Sequence, residues 1–434
     1  MKTKAFSGKF YLTLVIFSLI GQVAWVVENM YFNVFIYKMF NASAEAISAM
    51  VSASAVAATV TTLLIGALSD KLGKRKLFIC GGYLIWGVTI WCFALIRLDV
   101  INAIFPATVS AAAMGVSATI VMDCVMTFFG SAANDACFNA WLTDVTDETN
   151  RGAAEGINAM MPLVAILVVF GGFMGFDLNL PESWSVIFGV IGSVVLVIGV
   201  AGFFLIQDVP IQTGDNQNYF ANIFYGFRPK VVRQNPNLYL TLAAYAVFGI
   251  AIQIYMPYLI LYYNVSLGMD NYVLIMAPAI ILAAVFTALY GRVYDRRGFS
   301  AAIVPAMLLL MVGFVLLYLF KGTLLVFIGS LLMMCGYLAG MAVFGAMLRD
   351  YTPLNRSGMF QGLRIVGQVL IPGIVGPAIG AWVLRDAATV LNDDGTSSFI
   401  PDESIFLAAL IAAAAVWLVL IPLLKIRKRG EEKC

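Results

Sequence analysis

Along this chain, long apolar runs are separated by short polar punctuation. Twelve runs of about 20 residues are placed, at roughly 11–37, 46–68, 77–97, 117–142, 155–176, 184–206, 238–263, 271–291, 301–320, 323–348, 359–383 and 404–424. Each is long enough to cross a hydrocarbon core of about 30 Å as a helix. Between the runs the charges cluster. The densest cluster, GALSDKLGKRK at 66–76, follows an uncharged stretch, and a thinner copy, GRVYDRRG, returns at 291–298. The pattern predicts an all-α membrane protein of twelve transmembrane helices, numbered here as spans 1 to 12. The first run is too long for the apolar region of a signal peptide, contains Asn and Glu, and is followed by no small-residue cleavage site, so it counts as span 1.

Composition excludes the soluble alternative. With 62% hydrophobic and 12% charged residues, the chain lies far from the usual balance of about 45–50% apolar and about 25% charged. A soluble fold would need twelve core helices with almost nothing polar to cover them. The six cysteines are scattered without a C-x-x-C spacing and read as packing residues, and no Cys/His cluster is available to hold a metal. There is no histidine at all, which removes the one side chain that titrates near neutrality without help. Any proton chemistry must rest on carboxylates. No phosphate-binding glycine loop and no nucleophile with a histidine base is present, so neither an enzyme, ATP, another cofactor nor a nucleic-acid partner is expected.

The basic residues set the orientation. With a cytoplasmic N-terminus, 21 of the 26 Lys and Arg fall inside; Lys38, Arg97, Lys321 and Arg385 fall outside, and Arg364 lies within span 11. The positive-inside rule selects this topology, which places both termini in the cytoplasm of a cell in whose plasma or inner membrane the protein sits. Two alignments reveal an internal repeat. Gly66, Asp70 and Gly73 match Gly291, Asp295 and Gly298 at an offset of 225, and FNAWLTDVTDETNRGAAEG (138–156) matches FGAMLRDYTPLNRSGMFQG (344–362) at an offset of about 206. The chain is a duplicated six-helix unit, with bundles at 1–206 and 238–434 and a cytoplasmic linker at 207–237; such repeats flank a substrate site near the bilayer midplane. In the linker, Tyr219, Phe220, Ile223, Phe224, Phe227 and Val231 recur at helical spacing beside Arg228, Lys230 and Arg233, as in an amphipathic helix lying on the membrane; an irregular polar linker is the other reading.

GALSDKLGKRK resembles the G-x-L-x-D-x-x-G-R-K pattern between helices 2 and 3 of the major facilitator superfamily, with Lys74-Arg75 as the basic pair, and the partial copy after span 8 sits where that superfamily has it. The resemblance implies two six-helix bundles that rock against each other, with Gly66, Asp70, Gly73, Arg75, Gly291, Asp295 and Gly298 acting at the gate. Independently, Gly66 and Gly73 suit close helix approach and a tight turn. A purely topogenic charge run accounts for the lysines but not for the glycines and aspartates.

Ionisable groups inside spans cost about 2.5–3.5 kcal/mol to insert, so each is a functional candidate. On span 1, Gln22, Trp25, Asn29 and Asn33 share a helical face, with Glu28 at its edge. On span 4, Thr119, Asp123, Thr127, Ser131 and Asn134 form a second stripe beside Asp135. Glu28, Asp123 and Asp135 are the candidates for a coupling cation, as protonated carboxyls or as oxygen ligands, although Glu28 can instead serve packing and Asp135 a structural role. Gln22, Trp25, Asn29, Asn33 and Asn134 read as substrate contacts, joined in the second half by Gln253, Tyr255 and Gln368; other tyrosines of span 7 suit an interfacial belt. Arg364 either snorkels to the surface or is buried as a gate residue. Gly376-x-x-x-Gly380, between Pro372 and Pro377, suits either a bending gate helix or ordinary close packing.

AWLTDVTDETNRGAAEG further resembles the loop after helix 4 in glycoside-pentoside-hexuronide:cation symporters, through Leu142, Asp144 or Asp147, Thr146, Arg151 and Gly156. Symporters of the melibiose-permease kind carry aspartates in helix 2, and this span 2 has none, so H+ is favoured over Na+. The expected function is cation-coupled symport of a sugar or glycoside by a monomer in the lipid bilayer. The alternatives are export of amphipathic or drug-like compounds by cation antiport, and a sensor or lipid-handling protein that has lost transport.

Overall fold

The computed structural model describes residues 8–105, 110–146, 151–207, 225–352, 362–392 and 396–431. Eleven continuous helices are long and apolar enough to cross a membrane. One of them, Val273–Leu319, is two spans joined end to end, because Gly298 breaks it with φ 74° and ψ −178°. The described residues therefore contain the twelve expected spans. Span 1 is Gly8–Phe40, span 2 Ala44–Leu72, span 3 Arg75–Phe93, span 4 Ala111–Val145, span 5 Arg151–Phe173 and span 6 Pro181–Leu205. Span 7 is Pro236–Ser266, spans 8 and 9 are 273–297 and 299–319, span 10 is Thr323–Tyr351, span 11 Gly362–Val383 and span 12 Ser404–Glu431.

Local chemistry sets the ends. Ser43 and Ser110 cap spans 2 and 4 by accepting from the backbone N–H three residues on, and Pro181 and Pro236 open spans 6 and 7 at the first turn, where a missing N–H costs nothing. Span 2 ends at Gly73, whose φ of 63° is the left-handed cap a glycine adopts freely. Gly73 and its repeat mate Gly298 thus both occupy backbone geometry that other residues resist. Gly66 does not show the close approach expected of it: a Cβ there would sit 3.9 Å from that of Ala136, an ordinary contact, and a Cβ at Gly291 would meet nothing within 4 Å among the described residues.

The chain divides into two compact units, Met1–Gln217 and Asn218–Cys434. In the first, spans 3 and 6 cross so closely that a Cβ on Gly87 would lie 2.8 Å from the Gly192 carbonyl. Phe32 and Phe35 (span 1), Phe93 (span 3), and Trp184 and Phe188 (span 6) form its aromatic core. In the second unit, spans 9 and 10 interlock at Gly313 and Gly336, and span 11 packs on span 7. Tyr255, Tyr258 and Tyr262 are each at most 1% exposed; they belong to this core and not to the interfacial belt, because they face spans 9, 11 and 12.

Each unit carries an ionic clip of the same design. Arg97, just past span 3, binds Glu182 at the start of span 6 at 3.3 Å and Asp99 at 3.0 Å. Lys321, just past span 9, binds Glu403 before span 12 at 3.1 Å. The loop 385–404 folds into a small antiparallel hairpin, β1 Thr389–Leu391 and β2 Ser397–Phe399, which hydropathy alone did not announce. Of the expected amphipathic linker helix, Tyr219, Phe220, Ile223 and Phe224 lie outside the described residues. The rest of the linker forms a turn, Tyr225–Phe227, and a six-residue helix, Pro229–Gln234, with Val231 buried.

Candidate functional site

Helix geometry is perturbed where the polar residues lie. Span 1 widens to π geometry at Val27–Tyr31, around Glu28, and span 4 does so at Ser131–Phe138, around Asn134 and Asp135. Span 11 does so at Val366–Leu370, around Gln368, and span 7 at Tyr262–Ser266. Such bulges free backbone groups and re-aim side chains, and they concentrate at functional sites.

Three spans converge on Glu28. Its Oε1 accepts from Ser54 Oγ of span 2 at 2.5 Å and from Thr127 Oγ1 of span 4 at 2.8 Å, and the two hydroxyl oxygens are 2.9 Å apart. Its Oε2 is buried without a hydrogen-bond partner. Asp123 precedes Thr127 by one helical turn and so shares its face; its Oδ1 is likewise buried and unpartnered. Both acids are sealed, at 6% and 2% exposure. Spans 1 and 4 therefore meet through the Glu28 carboxyl group and the Thr127 hydroxyl. The span 4 stripe, Thr119 to Asn134, is buried throughout.

A second, more open group surrounds Trp25. Gln22 and Trp25 are half-buried and Asn29 is exposed, although it lies well inside span 1. An amide exposed at that depth is costly against lipid, which marks this face as a functional candidate. Asp135 is half-buried and accepts from Ser131 at 3.0 Å. Trp25 Nε1 lies near the Asp135 carboxyl but outside hydrogen-bond geometry, and the Trp25 ring packs on Trp86 at 5.1 Å. Asn33 and Asn134 do not belong to this face. Asn33 is fully buried, donating to the Asn29 carbonyl. Asn134 accepts from Tyr83 at 3.3 Å and closes on Gly21, where a Cβ would come within 2.7 Å of its oxygen. Helical spacing placed both among the substrate candidates; in this structure both are buried in helix packing.

In the second unit, Gln253 and Gln368 are half-buried, but Tyr255 is fully buried between Phe314 and Phe406 and is not a surface contact. Arg364 is half-buried, with its Nε enclosed and unpartnered and with Arg349 and Tyr245 nearby, so it does not snorkel free. A Cβ at Gly376 would lie 2.4 Å from Gln253 Cβ, and one at Gly380 would lie 2.5 Å from the Ile254 carbonyl. The Gly376–Gly380 pair thus serves close packing of span 11 on span 7.

At the loop end of the first unit, Arg75 is buried and binds Asp144 of span 4 at 3.0 Å and Ser69 of span 2 at 2.6 Å. This cross-link ties the GALSDKLGKRK segment to the end of span 4. The side chain of Asp70, like residues 147–150, lies outside what the structure describes. In the second unit, Asp295 is exposed, and the acid at the matching corner, Asp350, accepts a hydrogen bond from Tyr294.

The model of the Major Facilitator Superfamily matches residues 13–377. The chain belongs to that superfamily. No curated protein matches its sequence, but solved structures share its fold. A point mutant of the nucleoside transporter NupG superimposes with a TM-score of 0.71 at 13% identity, covering 95% of this chain and 99% of that one. The E. coli xylose transporter XylE in a partially occluded inward-open form gives 0.68 at 14%, covering 96% and 99%. A bacterial homologue of the human lysosomal transporter Spinster, inward-facing and unoccupied, gives 0.64 at 13%, covering 96% of each. This superfamily member is therefore a multi-pass membrane transporter and not an enzyme. Sequence reasoning missed Ser54, Ser69 and Tyr83, all of which partner predicted residues; in a Ser/Ala/Val-rich span a serine looks like a small packing residue, and only its neighbour reveals otherwise.

Proposed function

We propose that this transporter is a proton-coupled symporter of a sugar or glycoside that works by alternating access between its two bundles. One observation carries the reading: Glu28 is held inside the first bundle by Ser54 and Thr127, beside Asp123 and sealed from solvent. A buried carboxyl group with an unpartnered oxygen is expensive, and a coupling ion is the reason to retain one. The open face of Gln22, Trp25, Asn29 and Asp135 supplies the other half, namely amide and carboxylate groups that exchange hydrogen bonds with hydroxyls and an indole face on which a sugar ring stacks. Asp135 thereby moves from the coupling set to the substrate set. Gln253 and Gln368, half-buried in the second bundle, are kept as candidate substrate contacts there. The xylose and D-xylose-proton transporters with the same fold support a hydroxyl-rich substrate. The Arg75–Asp144 cross-link, with Gly66, Asp70, Gly73, Gly291, Asp295, Gly298 and Arg364, holds the cytoplasmic gate, and both termini are cytoplasmic in the cell membrane.

The test is a pH recording in lightly buffered, de-energised cells expressing the protein, to which glycosides and oligosaccharides are added one at a time. Alkalinisation with one sugar, absent without the protein, is the expected result. No pH change with any sugar, in cells shown to contain the protein in the membrane, would overturn proton–sugar symport.

A further inference from the structure

The two sealed carboxyls are not equivalent. Glu28 Oε1 receives two O–H donors, at 2.5 and 2.8 Å. Two donors on one oxygen favour an ionised carboxylate, since hydrogen bonds to a charged acceptor are about twice as strong as neutral ones. Asp123 Oδ1 receives no donor. Burying an ionised acceptor without a donor is the costlier choice, whereas a protonated acid becomes a donor itself.

Charge balance points the same way. Among the described residues of the first unit, the buried cation is Arg75, and it is committed to Asp144 and Ser69 near the loop end. Span 2 offers Ser54 to the pair and span 4 offers Thr127, and neither is charged. Among the described residues of span 4, Asp135, which bears on Glu28, and Cys124, next to Asp123, are titratable, and neither can be cationic. Asp123 lies one helical turn from the Thr127 that donates to Glu28, and with no buried cation beside them among the described residues of the first unit, two like charges so desolvated favour retention of a proton.

We propose that Glu28 and Asp123 act as a single carboxylic dyad that holds one proton, carried on Asp123, with Glu28 as its ionised and hydroxyl-clamped partner. Loading moves one proton from water to a carboxylate oxygen of Asp123 and release returns it, with no other bond made or broken. The proposal rests on the coupling-ion reading above and adds the stoichiometry of one proton and its resting place.

The test needs no substrate. The full-length protein in lipid nanodiscs is titrated in H2O and D2O while infrared difference spectra follow the protonated-carboxyl bands of wild type, Glu28→Gln, Asp123→Asn and Thr127→Ala. A dyad titrates in two separated steps that belong to the pair, so wild type retains one proton between the steps. Each single carboxyl variant loses one step: in Glu28→Gln the Asp123 step falls below the upper wild-type step, because its charged neighbour is gone, and in Asp123→Asn the Glu28 step stays near the lower one, its neighbour being neutral in both. An Asp123 step in Glu28→Gln that stays at the upper wild-type value would overturn the dyad. Thr127→Ala keeps both acids and removes one donor from ionised Glu28, so the lower step rises; an unchanged lower step would overturn the placement on Asp123. Loss of the retained proton on adding NaCl at constant pH and ionic strength would overturn the proton in favour of Na+. Coupled titration together with unimpaired uphill transport in both carboxyl variants would keep the dyad and remove only the coupling role.

Discussion

The two halves descend from one repeat, yet the acids inside the membrane all belong to the first. Glu28, Asp123 and Asp135 lie in spans 1 and 4, whereas spans 7 to 12 contain no Asp or Glu in their apolar stretches and bury tyrosines instead. The loop-end corners diverge in the same sense. At an offset of 225, Ser69 corresponds to Tyr294 and Arg75 to Ser300. The first unit closes its corner with the Arg75–Asp144 ion pair, and the second brings Tyr294 directly to Asp350. The clips are alike in both units, Arg97 with Glu182 and Lys321 with Glu403. Duplication preserved the scaffold, because every span must still bury its packing face, while the costly charged chemistry was concentrated where one bundle can pair or seal it.

The sharpest way to break this comparison is to remove one polar group from each unit. Glu28→Gln is expected to abolish uphill substrate accumulation while leaving exchange down a gradient. Gln253→Ala is expected to leave accumulation intact and weaken binding by about 0.5–1.5 kcal/mol, one hydrogen bond's worth. Uptake into proteoliposomes with and without an imposed pH gradient measures both, and coupling lost in Gln253→Ala would undo the assignment of coupling to the first unit.

The corners offer a stability test of the next size. Breaking a buried ion pair by removing one partner costs about 3–5 kcal/mol. Asp144 is a quarter exposed, so Arg75→Ala should cost somewhat less, about 2–4 kcal/mol. Tyr294→Phe loses one exposed hydrogen bond, about 1 kcal/mol or less. Thermal unfolding in detergent should therefore show a larger fall in Tm for the first variant, and equal shifts would mean that the corners are energetically alike after all.

Glycines sharpen the contrast between packed and open positions. Gly376→Ala drives a Cβ into Gln253 and should cost about 1–3 kcal/mol by overpacking, whereas Gly66→Ala, with 3.9 Å to its neighbour, should be close to neutral in fold stability. The same unfolding assay ranks them.

The clips should give the smallest effects. Glu182→Gln and Glu403→Gln remove partly exposed pairs, worth about 0.2–1 kcal/mol each and weaker in high salt. A marked loss of stability in either variant would show that the clip is more than a surface pair. The hydrogen bond from Arg97 holds the Asp99 carboxyl below the usual carboxylate range, so its part of the clip is present at neutral pH and is lost only as pH falls through that lowered value.

Much of this molecule is legible without coordinates, and for a definite reason. A bilayer requires each crossing segment to satisfy its own backbone and to present about 20 apolar residues, so the spans, the repeat and the isolation of Glu28 and Asp123 among apolar neighbours stand out in one dimension. Gly73 and Gly298 are similarly readable, because a turn that needs positive φ selects glycine. Helical spacing also shows that Gln22, Trp25, Asn29 and Asn33 share a face, but not where along that face exposure ends. The tertiary structure decides that Asn29 is exposed and Asn33 is buried, that Asn134 meets Tyr83, that Tyr255 belongs to the core, and that Ser54 and Thr127 clamp Glu28. Periodicity specifies a face relative to its own helix axis; the rotation of that axis, further altered by the π turns at Val27–Tyr31 and Ser131–Phe138, is set by the helices packed around it.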